Sequence, residues 1–474
     1  MAKNKVKAPS NGLTFKHKFG YAMGDAGGCM TFAIMGSTFS LYMTDALGLN
    51  TALIAVLLAI WNIWDFINDP LMGALLDKAF ARSRNPRGKF RPWLLRSAPM
   101  ICVAFIALWS VPAFFDGVAT VAMLFVLKLL YEGAYTMFNI PMGSLLSAMA
   151  DTDQERATLS SARGLGSAIG NMIPVILMPL IIDHFGEKSP TGYAIGASIC
   201  AVVGLVMCLL HYAMTEERNS VATAAADTAE AENIKITDIL NVFKVNRPFL
   251  ALCVHGLCIC TMQYVSNTLS NYMYKDVFGD LTLVSYGSIL SMPLMFATLF
   301  GGPILAKKFG LERFIRWGLL AGSVIYICLF GMHMVMAVNP WVHIILNSLA
   351  MGLASMSIYM QWGLVGEAID YNEMITGKRT EGSIYGTFNL SRRVGQTIGN
   401  SSAMLLLGFI GYNADLAAQT AGTITGIKVL CVLLPGIFIL GSWAAFKFLW
   451  NMTPETRAKV AEFKAAKKAG NSEE

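Results

Sequence analysis

Long apolar runs separated by short polar breaks cover most of the chain. No Lys or Arg occurs between Lys18 and Lys78, between Lys128 and Arg156, or between Arg316 and Lys378. A helix needs about 20 apolar residues to cross a bilayer, so each gap has room for one or more crossings. Reading the runs by length and apolarity predicts about twelve spanning helices. They lie near residues 19–43, 52–77, 93–113, 118–149, 158–183, 192–214, 248–274, 283–306, 313–336, 340–369, 383–411 and 424–450. The expected fold is all-α and polytopic: a basic arm over 1–18, a six-helix bundle over 19–214, a linker over 215–247, a second six-helix bundle over 248–450, and a polar tail over 451–474.

Polar residues inside the apolar runs carry the chemistry. In the second run, Trp64-Asp65-Phe66-Ile67-Asn68-Asp69-Pro70 places two carboxylates and an amide at i, i+3 and i+4, on one helix face. Each carboxylate costs roughly 2.5–3.5 kcal/mol near the bilayer centre, so a compensating partner is expected. Oxygen ligands suit a hard cation, which makes this face a candidate Na⁺ or H⁺ site. The alternative is a solvated helix end or a polar knot with Lys or Arg elsewhere.

The fourth run carries Glu132, Tyr135, Thr136, Asn139 and Gly143 on one stripe. Thr136 is positioned to assist the carboxylates, Asn139 to line a cavity, and Glu132 to pair with Lys128 one turn away. Asp25 is a lone carboxylate in the first run, able to meet sugar hydroxyls or a basic residue of another helix. Asn267 heads an uncharged polar face in the seventh run. Its amides and hydroxyls can each donate and accept, as a polyol requires, although interhelical glue is an equal reading. In the eleventh run Tyr385, Asn389, Arg393, Gln396 and Asn400 recur at helical spacing. Arg393 lies far from the helix end, so its guanidinium needs an acid: a substrate carboxylate, or an internal ion pair. Glu367 and Asp370 with Arg379 bracket the loop after the tenth run and read as a gate.

Composition supports the membrane assignment. Of 474 residues, 55% are hydrophobic and only 14% charged, with a mean hydropathy of +0.53; soluble proteins have about 25% charged residues. Basic residues gather in the even-numbered loops, which places those loops and both termini in the cytoplasm. The basic, polar stretch from Met1 to Lys18 is not expected to be a cleavable signal. The net charge of +6 reports topology rather than nucleic-acid binding. The nine Cys lack zinc spacing and read as packing thiols. No Walker loop, nucleophile elbow or zinc-helix motif occurs, so the chain is not expected to be an enzyme. Gly73-Ala74-Leu75-Leu76-Asp77-Lys78 and Gly302-Pro303-Ile304-Leu305-Ala306-Lys307 fall at matching places in the two halves. That repeat is the pattern of a major facilitator superfamily hinge, with two parallel halves rocking about a midplane site.

Taken together, several stretches resemble the glycoside–pentoside–hexuronide:cation symporter family. They are Asp65-Phe66-Ile67-Asn68-Asp69-Pro70-Leu71-Met72-Gly73, Arg87-Gly88-Lys89-Phe90-Arg91-Pro92-Trp93, Tyr21-Ala22-Met23-Gly24-Asp25 and Ile369-Asp370-Tyr371-Asn372-Glu373. The resemblance implies cation ligands at Asp65, Asn68, Asp69 and Thr136. It implies sugar-site positions at Asn139, Arg163, Asn389 and Arg393. The melibiose-carrying members have an acid where Asn139 stands, a Trp where Gly143 stands and a Lys where Arg393 stands, and their first-span carboxylate aligns with Cys29. Asn139-Ile140-Pro141-Met142-Gly143-Ser144-Leu145, Ser161-Ala162-Arg163-Gly164 and Ser391-Arg392-Arg393-Val394-Gly395 look closer to the glucuronide-carrying branch.

The expected function is therefore symport of a glycoside, most of all a glucuronide or other hexuronide, with Na⁺ or H⁺ by alternating access. Asp25, Tyr135, Asn139, Arg163, Asn267, Asn389 and Arg393 are the expected substrate residues. No cofactor beyond the coupling ion is expected. The partners are a small glycoside and the lipid bilayer, with no nucleic acid; the carrier is expected to be a monomer in the bacterial inner membrane. Rival readings are a neutral glycoside or pentoside symporter, a lipid carrier on the same scaffold, and a non-transporting sugar sensor.

Overall fold

A computed structural model of the protein describes residues 13–82, 88–150, 153–218, 246–377, 381–416 and 418–470. The chain divides into two compact units, Met1–Gly48 with Ile60–Glu230, and Leu49–Ala59 with Ala231–Glu474. Six long helices precede residue 219: α1 (Phe15–Ser37), α2 (Thr51–Arg82), α3 (Arg91–Ser110), α4 (Val118–Met149), α5 (Asp153–Phe185) and α6 (Pro190–Met214). After residue 245 come α7 (Arg247–Tyr272), α8 (Leu283–Phe309), α9 (Leu311–Val335), α10 (Pro340–Thr376), α11 (Glu381–Phe409), α12 (Ala421–Lys428) and α13 (Leu434–Phe448), with α14 (Pro454–Gly470) at the tail. A π turn over Val429–Leu433 joins α12 to α13, so that Ala421–Phe448 forms one spanning stretch. Of the linker expected over 215–247, residues 219–245 lie outside the described residues.

Among the described residues, eight helical stretches are long and apolar enough to cross a membrane. They include α3 to α7 and α9. Four further expected spans are helical as well, at α1, α2, α8 and α11. The described apolar stretches of α2 and α8 are Thr51–Asp65 and Leu283–Leu294. α1 is diluted by glycines and Asp25, and α11 by Arg392, Arg393, Gln396 and Asn400.

Those two diluted helices are the ones that need neighbours most, and each makes a close joint. In the first unit, Gly166 and Gly170 of α5 lie against the backbone carbonyls of Ala22 and Ala26 on α1. In the second, Gly395 and Gly399 of α11 lie against the carbonyls of Leu257 and Thr261 on α7. Lipid offers no hydrophobic gain on helix contact, so spacing two glycines four apart is what lets backbones approach and dispersion act. Beyond each joint the paired helix leads to a π turn, Tyr42–Ala46 after α1 and Met273–Val277 after α7.

One end of the first unit is stapled by a single carboxylate. Glu217 accepts the backbone N–H groups of Lys89, Phe90 and Arg91 at 2.8, 2.7 and 3.1 Å. These are the orphan donors at the start of α3, where negative charge also suits the helix dipole. Arg91 returns the tie by donating to the Tyr212 carbonyl at 2.8 Å.

The glycine joints make a graded prediction. A Cβ at Gly166 or Gly395 would strike backbone, whereas one at Gly164 meets nothing within 4 Å. Gly166→Ala and Gly395→Ala should each destabilise by about 1–3 kcal/mol. Gly164→Ala should be neutral, or stabilise by up to about 1 kcal/mol through helix propensity. Thermal unfolding of the three purified variants in detergent checks the order.

Candidate functional site

The candidate cation residues come from α2 and α4. Asn68 donates through its side-chain amide to the Thr136 hydroxyl at 2.9 Å, joining the two helices at a point where both residues are buried, 4% and 6% exposed. Asp65 lies one turn before Asn68 on α2. Its charge acts on Lys128 and on the Tyr131 hydroxyl, both of α4. Asp69 sits on the same helix turn as Asn68, but its side chain lies outside the described residues. Three of the four expected cation residues are thus gathered on one helix pair, and the sequence spacing that put Asp65 and Asn68 on one face is kept.

Lys128 and Glu132 form an ion pair one turn apart on α4, as their spacing predicts. Both side chains are well buried, 10% and 14% exposed. The ammonium also lies 5.6 Å from the Tyr131 ring centroid. Tyr131 in turn donates to the Thr31 hydroxyl of α1 at 3.1 Å.

A second ion pair joins α1 to α5. The Arg163 guanidinium donates through Nε to Asp25 Oδ1 at 3.2 Å, with Asp25 14% and Arg163 36% exposed. The sequence left two partners open for Asp25, and Arg163 is the basic residue of another helix that it meets. Other polar side chains of α1, α4 and α5 lie near the pair. The Cys29 thiol is 3.3 Å from the Ser167 hydroxyl, Tyr21 donates to the Met142 carbonyl at 3.0 Å, and Tyr135 stacks on Phe32 at 5.6 Å between ring centroids. The charges of Asp25 and Arg163 reach both Cys29 and Tyr135. A side chain at Gly143 would begin 3.9 Å from the Arg163 guanidinium, so the glycine leaves that guanidinium uncovered on one side.

Asn139 is exposed on α4, one turn after the buried Thr136. In the second unit Asn267 of α7 and both Asn389 and Arg393 of α11 are exposed. The neighbouring Arg392 is half-buried against α7, within hydrogen-bonding reach of the Cys260 thiol. Of the expected gate, Glu367 is held by Arg457 of α14 at 3.0 Å. Asp370 is half-buried three residues further along α10. Arg379 lies outside the described residues.

Sequence reasoning missed two things. One is the proximity of Lys128 to Asp65, which needs the register between α2 and α4. The other is a repeat, Arg163-Gly164-Leu165-Gly166-Ser167-Ala168-Ile169-Gly170-Asn171 against Arg392-Arg393-Val394-Gly395-Gln396-Thr397-Ile398-Gly399-Asn400. A search for self-similarity would have found it. It aligns Arg163 with Arg392, not with Arg393.

The α1–α5 ion pair predicts a signature in a double-mutant cycle. Since Arg163 is a third exposed, the coupling between Asp25→Asn and Arg163→Gln should be about 1 kcal/mol, below that of a fully buried pair. Arg163→Gln alone should cost more than the double variant, because it strands the less exposed carboxylate. Unfolding midpoints of the three variants against the parent measure both quantities.

Comparison with known proteins bears on this geometry. A family model described as MFS/sugar transport protein matches residues 20–450. The glucuronide carrier protein homolog of Escherichia coli (strain K12) is 29% identical over 464 residues, covering 95% of this chain and 94% of that protein. The uncharacterized symporter YjmB of Bacillus subtilis (strain 168) is 27% identical over 454 residues, covering 95% of each. Among solved structures, the nucleoside transporter NupG superposes with a TM-score of 0.63 at 14% identity, over 92% of this chain and 99% of that one. At that identity the likeness concerns fold alone.

Proposed function

Because the chain belongs to the MFS/sugar transport protein family, we propose that it couples movement of an anionic glycoside, a glucuronide or related hexuronide, to a cation bound at Asp65, Asn68, Asp69 and Thr136. As a member of that family it is a multi-pass membrane protein and a secondary transporter, not an enzyme. The observation that carries the cation reading is the buried α2–α4 contact of Asn68 with Thr136, one turn from the Asp65 carboxylate. An amide oxygen, a hydroxyl and a carboxylate within one helix turn are the ligand set of a hard monovalent cation. Intramembrane acids mark ion pathways by default.

The mechanism follows from the charges. A cation arriving at Asp65 and Asp69 relieves their mutual repulsion. The loaded state then differs from the empty one in electrostatic energy, which is what biases an alternating-access equilibrium. The carrier rocks, releases ion and sugar, and returns empty. In the proposed orientation both termini face the cytoplasm of a bacterial inner membrane, and transport runs inward.

Support for an anionic substrate comes from Arg163, left uncovered by Gly143, and from the exposed Arg393 on α11. A guanidinium can hold a carboxylate bidentately. A relative named as a glucuronide carrier homolog points the same way. The second reading, a neutral glycoside, is favoured by one observation: Arg163 already has a carboxylate partner in Asp25.

Electrical behaviour separates the two. Moving one charge contributes about 2.3 kcal/mol per 100 mV, or about fiftyfold accumulation. A neutral sugar carried with one cation takes the whole of that term. A monoanionic glucuronide carried with one cation moves no net charge and takes none. In proteoliposomes, an imposed potential without an ion gradient should therefore leave glucuronide uptake unchanged, while an ion gradient drives it. Asp65→Asn should bring ion-driven accumulation down to the equilibrium level. Uptake that is competed by neutral glycosides and not by glucuronides would reject the anionic substrate.

A further inference from the structure

Resting on the cation site proposed above, we infer that Lys128 is its selectivity element: a tethered ammonium, held by Glu132 beside Asp65, that an alkali-metal ion would have to displace. The register of the two helices carries the argument. Consecutive spans reverse direction, so α2 and α4, separated by one span, run the same way. Asn68 meets Thr136, which fixes residue 68 level with residue 136. Asp65 is three residues earlier and so level with Gly133, next to Glu132, about 4.5 Å along the axis from the amide–hydroxyl contact. Lys128 begins one turn before Glu132 and reaches it with its ammonium. The ammonium, the Glu132 carboxylate and the Asp65 carboxylate therefore share one level of the bundle.

The surroundings keep the charge there. Lys128 is 10% exposed, so its long stem is enclosed and its ammonium cannot snorkel to water as a lysine near a helix end does. The Tyr131 ring backs it at 5.6 Å. The described titratable neighbours are Asp65 on α2, Glu132, Tyr131 and Tyr135 on α4, and the Asp25–Arg163 pair across Tyr135. Of these groups, only Lys128 brings a positive charge to the level of Asp65.

A compact ammonium and a bare alkali ion answer the same need, since each supplies one positive charge to oxygen ligands. Both cannot sit against Asp65 at close range without repulsion. A site with its own tethered cation is thereby biased against Na⁺, Li⁺ and K⁺, and toward an ion that adds no second cation beside the ammonium, namely a proton taken up by a carboxylate. Lys128 has a structural role as well, through its ion pair, but that role alone would not move ion preference.

The test is Na⁺ binding by the purified full-length chain, read as the Na⁺-specific rise in thermal unfolding midpoint over choline chloride at matched ionic strength. The parent should show no Na⁺-specific rise at millimolar concentrations. Lys128→Met, or Lys128→Gln if the first variant does not yield folded protein, should acquire one, with apparent Na⁺ affinity increased about ten- to a hundredfold. Lys128→Arg, which keeps the charge, should behave as the parent. A parent that already binds Na⁺ as tightly as the Met variant overturns the inference, and so do Met and Gln variants that gain no Na⁺ response. Asp65→Asn, assayed in parallel for ion-driven accumulation, reports separately on the site itself. If accumulation survives that change the cation site is wrong, whereas loss of accumulation with no Na⁺ gain in the lysine variants leaves the site standing and rejects only the role of Lys128.

Discussion

A charge placed midway along a membrane helix has to be answered within reach of its own side chain. The arrangement of the first unit follows from that constraint. Asp25 is answered by Arg163 across α1 and α5 at 3.2 Å. Glu132 is answered by Lys128 within α4, and that ammonium also feels Asp65 from α2. Electrostatics thereby ties α1 to α5 and α2 to α4, and the uncharged contacts add to these two ties. The Asn68–Thr136 hydrogen bond and the Tyr131–Thr31 hydrogen bond each tie α4 to a different neighbour. Such bonds average well under 1 kcal/mol in membrane bundles. They define geometry more than they hold the bundle together, and a site that must release its ion needs partners of that strength.

Close backbone packing does the holding. The Gly166–Gly170 and Gly395–Gly399 joints put α5 on α1 and α11 on α7 with backbone carbonyls of the partner helix against the glycines. These are the helices with the least apolar surface to offer lipid. Small residues therefore solve two problems at once: they recover contact energy for a polar helix, and they leave its polar side chains on the faces that the joint does not use. Arg163, Asn171, Arg392 and Asn400 flank the glycines, so the packing motif positions the candidate chemistry.

The helical architecture was legible because apolar length and charge gaps report directly on what a bilayer requires. Periodicity also placed Asp65 with Asn68 and Lys128 with Glu132, since these pairs lie on single helices and a helix is a known ruler. Relations between helices were not legible in the same way. Nothing in the local sequence says that Asn68 is level with Thr136, and the ion pair of Asp25 with Arg163 spans 138 residues. The sequence offered Asp25 two partners and Arg393 two partners. It had no means of weighing them, because the deciding quantity is a distance set by glycine joints elsewhere. Arg392 illustrates the same limit: its equivalence to Arg163 emerges only once the two glycine pairs are superimposed.

That equivalence shows where the two units diverge. With Gly166 matched to Gly395, Ala22 corresponds to Leu257 and Ala26 to Thr261, so Asp25 corresponds to Cys260. The first unit keeps an acid opposite its arginine; the second has a thiol within reach of Arg392. A thiol at that place cannot neutralise a guanidinium as a carboxylate does. Asp25, Asp65 and Glu132 thus lie in one unit, while the helix of the other that matches α5 carries two adjacent arginines. On the proposed reading this is a division of labour that a repeat makes available: one copy retains carboxylates for a cation, and the other trades its acid away and keeps the positive charge that an anionic sugar requires.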